Sequence, residues 1–347
     1  MMMLIAAYLA FSGTPLSAQE AIDGWLDTLN PDGFGWNSTE GWTKESGIWK
    51  AGERAVAKHA TAIGSCKAFI KLKARAPQAT LSLGKINSAG REIALATWDG
   101  KTNPWLPNIA ESSPGFIILK GSLVDVEDVR VLPITNVKLI GGGDLSGWKI
   151  YPGKSSKFSV TPEKWIHVED GPGDLQSEFQ AANFVARITL RTNGKHLNSG
   201  LFFRAIPGEF TQAYEAQIRN QFTPGESRDY KIDKFHPATH VPAGTDIVRS
   251  EAFDYGTGAI YRRMPARSQA ATDGAWFTMT VAAYGRHMAT WVNGVPQVNW
   301  TDNRPNNVNP RQGFRGLKGA FSLQGHDPTT NIDFRALDIQ ELDARQP

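Results

Sequence analysis

Three short segments in the second half of this sequence alternate polar and apolar residues. Their polar positions are, in chain order, Arg204 in NSGLFFR, Glu215, Gln217 and Arg219 in YEAQIR, and Ser322, Gln324 and His326 in FSLQGH. Successive side chains of a β-strand point to opposite faces, so each set would share one face of a sheet. Amide, guanidinium, carboxylate and imidazole groups beside aromatic rings can bind sugar hydroxyls and transfer protons. An ordinary solvent-facing sheet surface is the alternative interpretation.

Strands are the elements that must position these side chains, and the rest of the sequence also has a period of two. The runs 184–191 and 277–283 alternate apolar and polar residues, and Gly, Pro and Asn separate such runs. This pattern predicts an all-β, antiparallel fold. Asn293-Gly294 between two strand-like runs predicts a two-residue hairpin turn. Only the apolar spacing within 22–29 favours a helix, of one or two turns.

Composition excludes several classes of protein. The 34 Gly and 20 Pro among 347 residues exclude a helical bundle. The 37 basic residues against 34 acidic ones give a net charge of +3, too small to indicate nucleic acid binding. Cys66 is the single cysteine, so it cannot form an internal disulfide or a cysteine-based zinc site.

The first twenty residues, MMMLIAAYLAFSGTPLSAQE, differ from the remainder of the chain. They begin with an apolar run and continue into small residues that end at Ala18. This layout predicts a signal peptide over residues 1–18 and an exported protein, periplasmic or extracellular, in a bacterium. The apolar run is too short to span a membrane, and no other segment is long enough.

A weak internal repeat divides the remaining chain. Gly35-Trp36 and Trp49 precede one strand-like run, and Gly147-Trp148 and Trp165 precede another in the same order. We therefore predict two tandem β-sandwiches, an N-terminal accessory unit over residues 19–136 and a C-terminal unit over residues 137–347. The second unit carries an extended segment, 222–257, which we expect to be a long loop that walls a cleft.

Residues 138–342 resemble the 3-keto-disaccharide hydrolase family, whose fold is a concanavalin-A-like, lectin/glucanase sandwich. The matching motifs are, in order, DLSGW (144–148), NSGLFFR (198–204), YEAQI (214–218), TGAIY (257–261), WVNG (291–294), LQGHD (323–327) and IDFRALDI (332–339). Residues 24–134 resemble a shortened, degenerate copy of the same fold. The resemblance therefore implies two tandem concanavalin-A-like sandwiches of the jelly-roll type.

The resemblance also implies an activity, the cleavage of glycosides that a partner sugar dehydrogenase has already oxidised at carbon 3. The ketone acidifies the hydrogen on carbon 2, so a base can remove it and the glycosidic oxygen leaves carbon 1 by β-elimination. Addition of water to the resulting enone completes a net hydrolysis. Glu215 and His326 are the candidate catalytic residues, because either can accept the proton.

The remaining roles fall to substrate-binding residues, for which the candidates are Asn198, Arg204, Gln217, Tyr261 and Gln324. Arg204, Gln217 or a bound divalent metal ion would stabilise the enolate oxygen. Glu215 and His326 are the candidate ligands of such a metal. Tyr261 would protonate the leaving oxygen.

Two alternatives remain open from the sequence. An ordinary glycoside hydrolase on this fold needs a pair of carboxylates, and the YEAQIR segment offers only Glu215. A non-catalytic carbohydrate-binding module needs no base, because Arg, Gln and aromatic residues suffice to bind a sugar.

Overall fold

The computed structural model describes residues 23–342 apart from residues 31, 88, 99–107 and 110–113. The regular elements of these residues are β-strands, which confirms the predicted all-β class. None of the described elements is a helix with the length and apolarity to cross a membrane. The chain divides into two compact units between Ile134 and Thr135. The predicted signal peptide, residues 1–18, lies outside the described residues.

The first unit contains nine strands in one antiparallel sheet. The strands are β1 (Leu26–Asp27), β2 (Trp36–Glu45), β3 (Ile48–Ile63), β4 (Cys66–Ala74), β5 (Thr80–Ile86), β6 (Glu92–Trp98), β7 (Asn108–Ile109), β8 (Gly115–Ser122) and β9 (Val124–Pro133). Their order is β6-β5-β8-β3-β9-β4-β7, with β1 beside β9 and β2 beside β3. The long strand β3 pairs with β9 near its start and with β8 further along, so it joins the two parts of the sheet.

Three buried tryptophan side chains pack against one another in the first unit. Trp49 is fully buried, and its ring centroid lies 5.4 Å from that of Trp36 and 6.0 Å from that of Trp42. The indole Nε1 of Trp36 donates to the carbonyl of Thr28 at 2.6 Å, which fixes the chain after β1. The helix expected within 22–29 is wrong from Trp25 onward, because Leu26–Asp27 pairs as a strand with β9, although Asp23 is helical. Pairing with the sheet satisfies backbone groups that one isolated helical turn would leave exposed.

The second unit contains the remaining described strands. They are β10 (Val137–Lys138), β11 (Trp148–Ile150), β12 (Lys157–Val160), β13 (Ile166–Glu169), β14 (Gly173–Ala181), β15 (Phe184–Thr192), β16 (Ser199–Ala205), β17 (Tyr214–Ile218), β18 (Arg228–Phe235), β19 (Pro242–Ser250), β20 (Phe277–Tyr284), β21 (His287–Val292), β22 (Val295–Thr301), β23 (Gly319–Gly325) and β24 (Asn331–Glu341). An eight-stranded sheet has the order β12-β13-β24-β15-β20-β21-β22, with β10 beside β24. A five-stranded sheet has the order β11-β14-β23-β16-β17.

The two sheets of this unit pack against each other through one apolar core, as expected for a sandwich. Phe184 of β15 joins them, because its ring meets Phe203 of β16 and Phe321 of β23 edge to face at 5.8 Å and 4.8 Å. Apolar residues at alternate positions of β16, β17 and β23 point into this core. The intervening positions of these strands therefore face away from the core, on the outer side of the five-stranded sheet.

Two connections differ in how well the sequence predicts them. The hairpin between β21 and β22 has the predicted two-residue turn, with φ of 49° at Asn293 and 77° at Gly294. The long loop expected over 222–257 is wrong, because β18 and β19 form a separate antiparallel ribbon there. Most side chains of this ribbon are exposed on both faces. It therefore lacks the apolar alternation by which a half-buried strand is identified.

We expect the substitution Phe184→Ala to destabilise the second unit strongly, because it removes the ring that contacts both sheets. Truncation of a fully buried phenylalanine typically costs about 3–5 kcal/mol. Denaturant unfolding followed by intrinsic fluorescence measures the loss, with Phe184→Leu as the conservative control that retains most of the buried volume. Equal stability of Phe184→Ala and the parent protein would contradict this account of the core.

Candidate active site

An open cavity of about 410 Å³ lies on the outer face of the five-stranded sheet. Its walls are Asn198, Thr211, Gln212, Glu215, Gln217, Tyr261, Arg262, Arg311, Gln324 and His326. Six of the seven residues that the sequence nominates for the site are among them, and Arg204 is not. The structure therefore brings together residues that are up to 128 positions apart in the chain.

Strand register explains why the nominated side chains converge. Gly200 of β16 pairs with Gln217 of β17, and Asp174 of β14 pairs with Gln324 of β23. The next pair on this face joins Phe202 to Glu215. Gly200 has no side chain to fill the space between these residues. A Cβ there would lie 2.9 Å from Glu215 Oε1, so the glycine leaves room for the carboxyl group.

Glu215 is the buried carboxyl group of the cavity, with 5% of its surface exposed. Arg311 Nη2 donates to Glu215 Oε2 at 3.2 Å. Burial nevertheless raises the pKa of Glu215 to about 7, against the attraction of Arg311 and with smaller upward contributions from Asp254 and Asp174. A carboxyl group in this state holds and releases a proton close to neutral pH.

Arg311 is a site residue that the sequence reasoning missed. Its Nε donates to the carbonyl of Thr211 at 2.9 Å, and its guanidinium lies 5.7 Å from the ring centroid of Phe202. It belongs to the irregular segment between β22 and β23, which has no strand alternation to reveal which way a side chain points. No signal in the sequence distinguishes it from the other arginines of that segment.

His326 is held from both sides of its ring. Asp327 Oδ2 accepts a hydrogen bond from Nδ1 at 2.8 Å, and Nε2 accepts one from Asn198 Nδ2 at 3.1 Å. Burial opposes ionisation of Asp327, but hydrogen bonds from Thr329 and His326 lower the pKa of Asp327 below its ordinary value. The ionised Asp327 favours the tautomer with its proton on Nδ1, which leaves the Nε2 lone pair on the cavity side.

Amide groups form the floor of the cavity. Gln217 Nε2 donates to Asn198 Oδ1 at 3.2 Å and to the carbonyl of Asp254 at 3.1 Å. The Oε1 atoms of Gln217 and Gln324 are buried and accept no hydrogen bond from the residues that the structure describes. Buried acceptors of this kind are normally satisfied, so they are suited to take hydrogen bonds from the hydroxyls of a bound sugar.

Residues at the end of the ribbon support this floor. Asp254 and Tyr255 adopt the left-handed region with φ of 48° and 70°, a conformation that costs energy for residues other than glycine. The turn brings Asp254 Oδ2 to 3.3 Å from Asn198 Nδ2 and places Tyr255 against Tyr261, with ring centroids 5.3 Å apart. The segment 222–257 thus contributes to the site through this turn.

Arg204 does not reach the cavity, which corrects its expected role in substrate binding. Its guanidinium is fully buried and donates to the carbonyls of Ala182 at 2.7 Å, Arg315 at 3.1 Å and Gly285 at 2.9 Å. Strand alternation predicted the direction of the Arg204 side chain, but the regular alternation of β16 ends at Phe202. The pairing of β16 with β23 shifts register after Phe202, and Arg204 has a φ of 49°. Arg204 is a structural residue that ties three backbone segments together.

Asp174 is a second carboxyl group that the sequence reasoning missed. It is fully buried on β14, beside Gln324, and its Oδ2 accepts a hydrogen bond from the backbone of Thr211 at 2.8 Å. Burial raises the pKa of Asp174 to about 6. The alternation of Asp174 and Gln176 in GDLQSEF was the signal that could have revealed it. Asp174 lies behind the cavity wall that Thr211 forms.

The side chains of the cavity wall do not match the divalent metal site that the sequence analysis considered. Among the described residues, no three His, Cys, Asp or Glu side chains are grouped closely enough to hold a metal ion. Glu215 and His326, the two candidate ligands, are engaged instead by Arg311 and by Asn198 and Asp327. We therefore derive no step of a reaction through a metal.

Comparison with known proteins assigns the second unit to a described domain type. A family model described as the 3-keto-alpha-glucoside-1,2-lyase-like domain matches residues 135–340. No curated protein matches the sequence significantly.

Several solved structures resemble the chain at low identity. A candidate glycosyl hydrolase from Parabacteroides distasonis has 18% identity and a TM-score of 0.43, over 59% of this chain and 93% of that chain. The carbohydrate-binding module CBM66 from Bacillus subtilis has 13% identity and a TM-score of 0.35, over 56% and 94%. A β-1,3-1,4-glucanase from a mouse hindgut metagenome has 12% identity and a TM-score of 0.33, over 59% and 99%. At these identities neither substrate nor activity transfers to this chain.

The raised pKa of Glu215 predicts that the stability of the protein falls as the pH rises. Between the ordinary value of 4.5 and about 7, the unfolded chain loses this proton while the folded protein keeps it, so rising pH favours unfolding. This pKa difference lowers the free energy of unfolding by roughly 3 kcal/mol, and the loss is complete above about pH 7. Glu215→Gln should therefore gain stability relative to the parent protein across this window, as measured by urea unfolding at several pH values. Exposed Glu163→Gln is the control, and parallel curves for Glu215→Gln and the parent would contradict the burial argument.

Proposed function

The chain belongs to the 3-keto-alpha-glucoside-1,2-lyase-like domain family, and from this premise we propose that its second unit cleaves glycosides carrying a ketone at carbon 3. The proposal rests on one observation, the buried carboxyl group of Glu215 facing an open cavity with polar walls. A general base works best when its pKa is near the working pH, and burial gives Glu215 a pKa of about 7.

The reaction that suits this base is an elimination followed by hydration. Glu215 takes the proton from carbon 2, and the electron pair of that bond forms an enolate with the carbon 3 ketone. The enolate collapses to a carbon 1–carbon 2 double bond while the bond from carbon 1 to the glycosidic oxygen breaks. Water then adds across this double bond, with its oxygen on carbon 1 and a proton on carbon 2, so the net change is hydrolysis.

Polar groups beside Glu215 can stabilise the charges that develop on the enolate oxygen and the leaving oxygen. The guanidinium of Arg311, 3.2 Å from Glu215 Oε2, is the cation available to stabilise the enolate oxygen, in place of Arg204. The buried amide oxygens of Gln217 and Gln324 accept hydrogen bonds from the sugar hydroxyls. Tyr261, on the cavity wall, is the group that supplies a proton to the leaving oxygen, and the Nε2 lone pair of His326 accepts a proton from the water that adds.

A second candidate function gains support from Asp174. An ordinary glycoside hydrolase needs two carboxyl groups, and Asp174 and Glu215 are both buried in the five-stranded sheet with raised pKa values. Asp174 stands behind Thr211, however, whereas Glu215 lines the cavity. The two functions differ in substrate, because a two-carboxylate hydrolase cleaves unoxidised glycosides and the elimination requires the ketone.

The proposal also includes the enzyme that acts before this chain and the place where the chain acts. The ketone at carbon 3 must be introduced by a dehydrogenase that oxidises the sugar before this chain acts on it. The apolar segment at 1–18 supports export to the periplasm or the cell exterior of a bacterium. The first unit would then be an accessory domain of the exported protein.

We expect Glu215→Gln and His326→Ala each to lower kcat on a 3-keto-glucoside by at least about 10²-fold, because loss of a proton-transfer group typically costs about 10²–10⁴. Steady-state kinetics on the 3-keto-glucoside and on the unoxidised glucoside measures both the loss and the requirement for the ketone.

Glu209→Gln and His236→Ala are the matched controls, because neither residue lines the cavity. Both should retain parental rates. Cleavage of the unoxidised glucoside at the same rate would favour the two-carboxylate hydrolase, and binding of the 3-keto-glucoside without cleavage would contradict both enzymatic functions.

A further inference from the structure

A second, smaller cavity of about 70 Å³ adjoins the main one. Its walls are Ala213, Tyr214, Glu215, Tyr261, Arg262, Arg263, Pro310 and Arg311, of which four also line the main cavity. The volume is several times the roughly 10–15 Å³ that a single water needs, so the cavity can hold a small polyatomic group. We call it the arginine pocket, after Arg262, Arg263 and Arg311.

Two of these arginines have no carboxylate partner within the described part of the chain. The guanidinium of Arg262 lies 5.3 Å from the ring centroid of Tyr261, on the wall shared by both cavities. Arg263 donates only to backbone carbonyls, those of Arg311 at 2.7 Å and Arg262 at 3.5 Å. Burial, together with the cations of Arg304 and Arg311, lowers the pKa of Arg263 to about 10.

The charge around the arginine pocket is therefore unbalanced. The nearby carboxylate of Asp302 is taken up by Arg304, with a hydrogen bond of 2.7 Å, and by the hydroxyl of Tyr214. Glu215 is the carboxyl group of the pocket wall, and its raised pKa means that it is often neutral near pH 7. Arg262 is exposed and Arg263 is half-buried, so water offsets part of their charge, but an anion in this space would gain charge-assisted hydrogen bonds from both guanidinium groups.

We propose that the arginine pocket binds an anionic group, a carboxylate or a phosphate, carried by the leaving group of the substrate. This inference rests on the proposed function and narrows its substrate to 3-keto glycosides of acidic aglycones. The planar donors of arginine match the oxygens of both anions in a bidentate manner. Because the pocket shares Glu215 with the main cavity, a single molecule can place its sugar in the cavity and its anionic group in the pocket.

A bound anion would also disfavour the ionised form of the proposed base, Glu215. Glu215 faces the cation of Arg311 and the carboxyl groups of Asp254 and Asp174. An additional negative charge beside it disfavours the ionised form, so the acidic substrate should move the lower limb of the pH profile of kcat to higher pH than a neutral substrate does.

The test compares three 3-keto-glucosides that differ at one group of a phenyl aglycone, a 4-carboxylate, a 4-carboxamide and a 4-phosphonomethyl group. We expect kcat/KM to be at least about tenfold higher for an anionic aglycone than for the carboxamide, since hydrogen bonds to charged groups contribute strongly. The carboxylate and phosphonate arms show which anion the pocket prefers. Arg262→Gln and Arg263→Gln should remove most of the preference, whereas exposed Arg335→Gln on the other sheet should keep it.

Binding measured without turnover separates this inference from the proposed function. Calorimetric titration of 4-hydroxybenzoate and of inorganic phosphate should show binding to the parent protein that weakens in Arg262→Gln and Arg263→Gln, after thermal unfolding has verified that both variants fold. If no 3-keto-glucoside is cleaved, the proposed function fails and these titrations decide the inference alone. Equal kcat/KM for anionic and neutral aglycones, or anion binding that is absent or unchanged in both variants, overturns it.

Discussion

The burial of the Glu215 carboxyl group beside Arg311 is the interaction on which the rest of the site depends. Removal from water raises the pKa of Glu215, and the guanidinium of Arg311 opposes that rise. The two effects together leave the pKa of Glu215 at about 7. A more exposed carboxylate would be a weaker base, and one without a nearby cation would remain protonated. The balance requires that the carboxyl group itself be buried while it faces the cavity, and its position on β17 meets this requirement, with 5% of its surface exposed.

The fold meets this requirement through small local features. Gly200 supplies the space for the carboxyl group, because any side chain there would collide with it. Asp174 holds the backbone of Thr211, whose carbonyl in turn receives Arg311, so the arginine is positioned from behind the cavity wall. On the opposite side, the left-handed turn at Asp254 and Tyr255 supports Asn198 and Gln217. Strain at such a turn is tolerated where the surrounding contacts fix it, as they do here.

The sequence predicts the parts of the site that follow strand alternation. Glu215 and Gln217 lie two positions apart on β17, and Gln324 lies on the strand β23 of the same sheet, so a period of two suffices to place them on one face. The same rule fails for Arg204, where a register shift and a positive φ turn the side chain away. The role of Arg311 could not be predicted from the sequence, because Arg311 lies in an irregular segment where the direction of a side chain depends on tertiary contacts. The ribbon of β18 and β19 was missed because its exposed faces carry little apolar pattern. That the first unit copies the second stays a prediction.

The central claim is that Glu215 removes the proton from carbon 2 of a 3-keto glycoside. The most direct measurement follows a substrate deuterated at carbon 2 through cleavage in ordinary water, with an enzyme-free sample to correct for spontaneous exchange. The account predicts that the sugar product of the parent protein has lost this deuterium to solvent, and that Glu215→Gln neither cleaves the substrate nor accelerates the exchange. Cleavage by the parent protein with the deuterium fully retained at carbon 2 would contradict it, because the glycosidic bond would then break without an enolate.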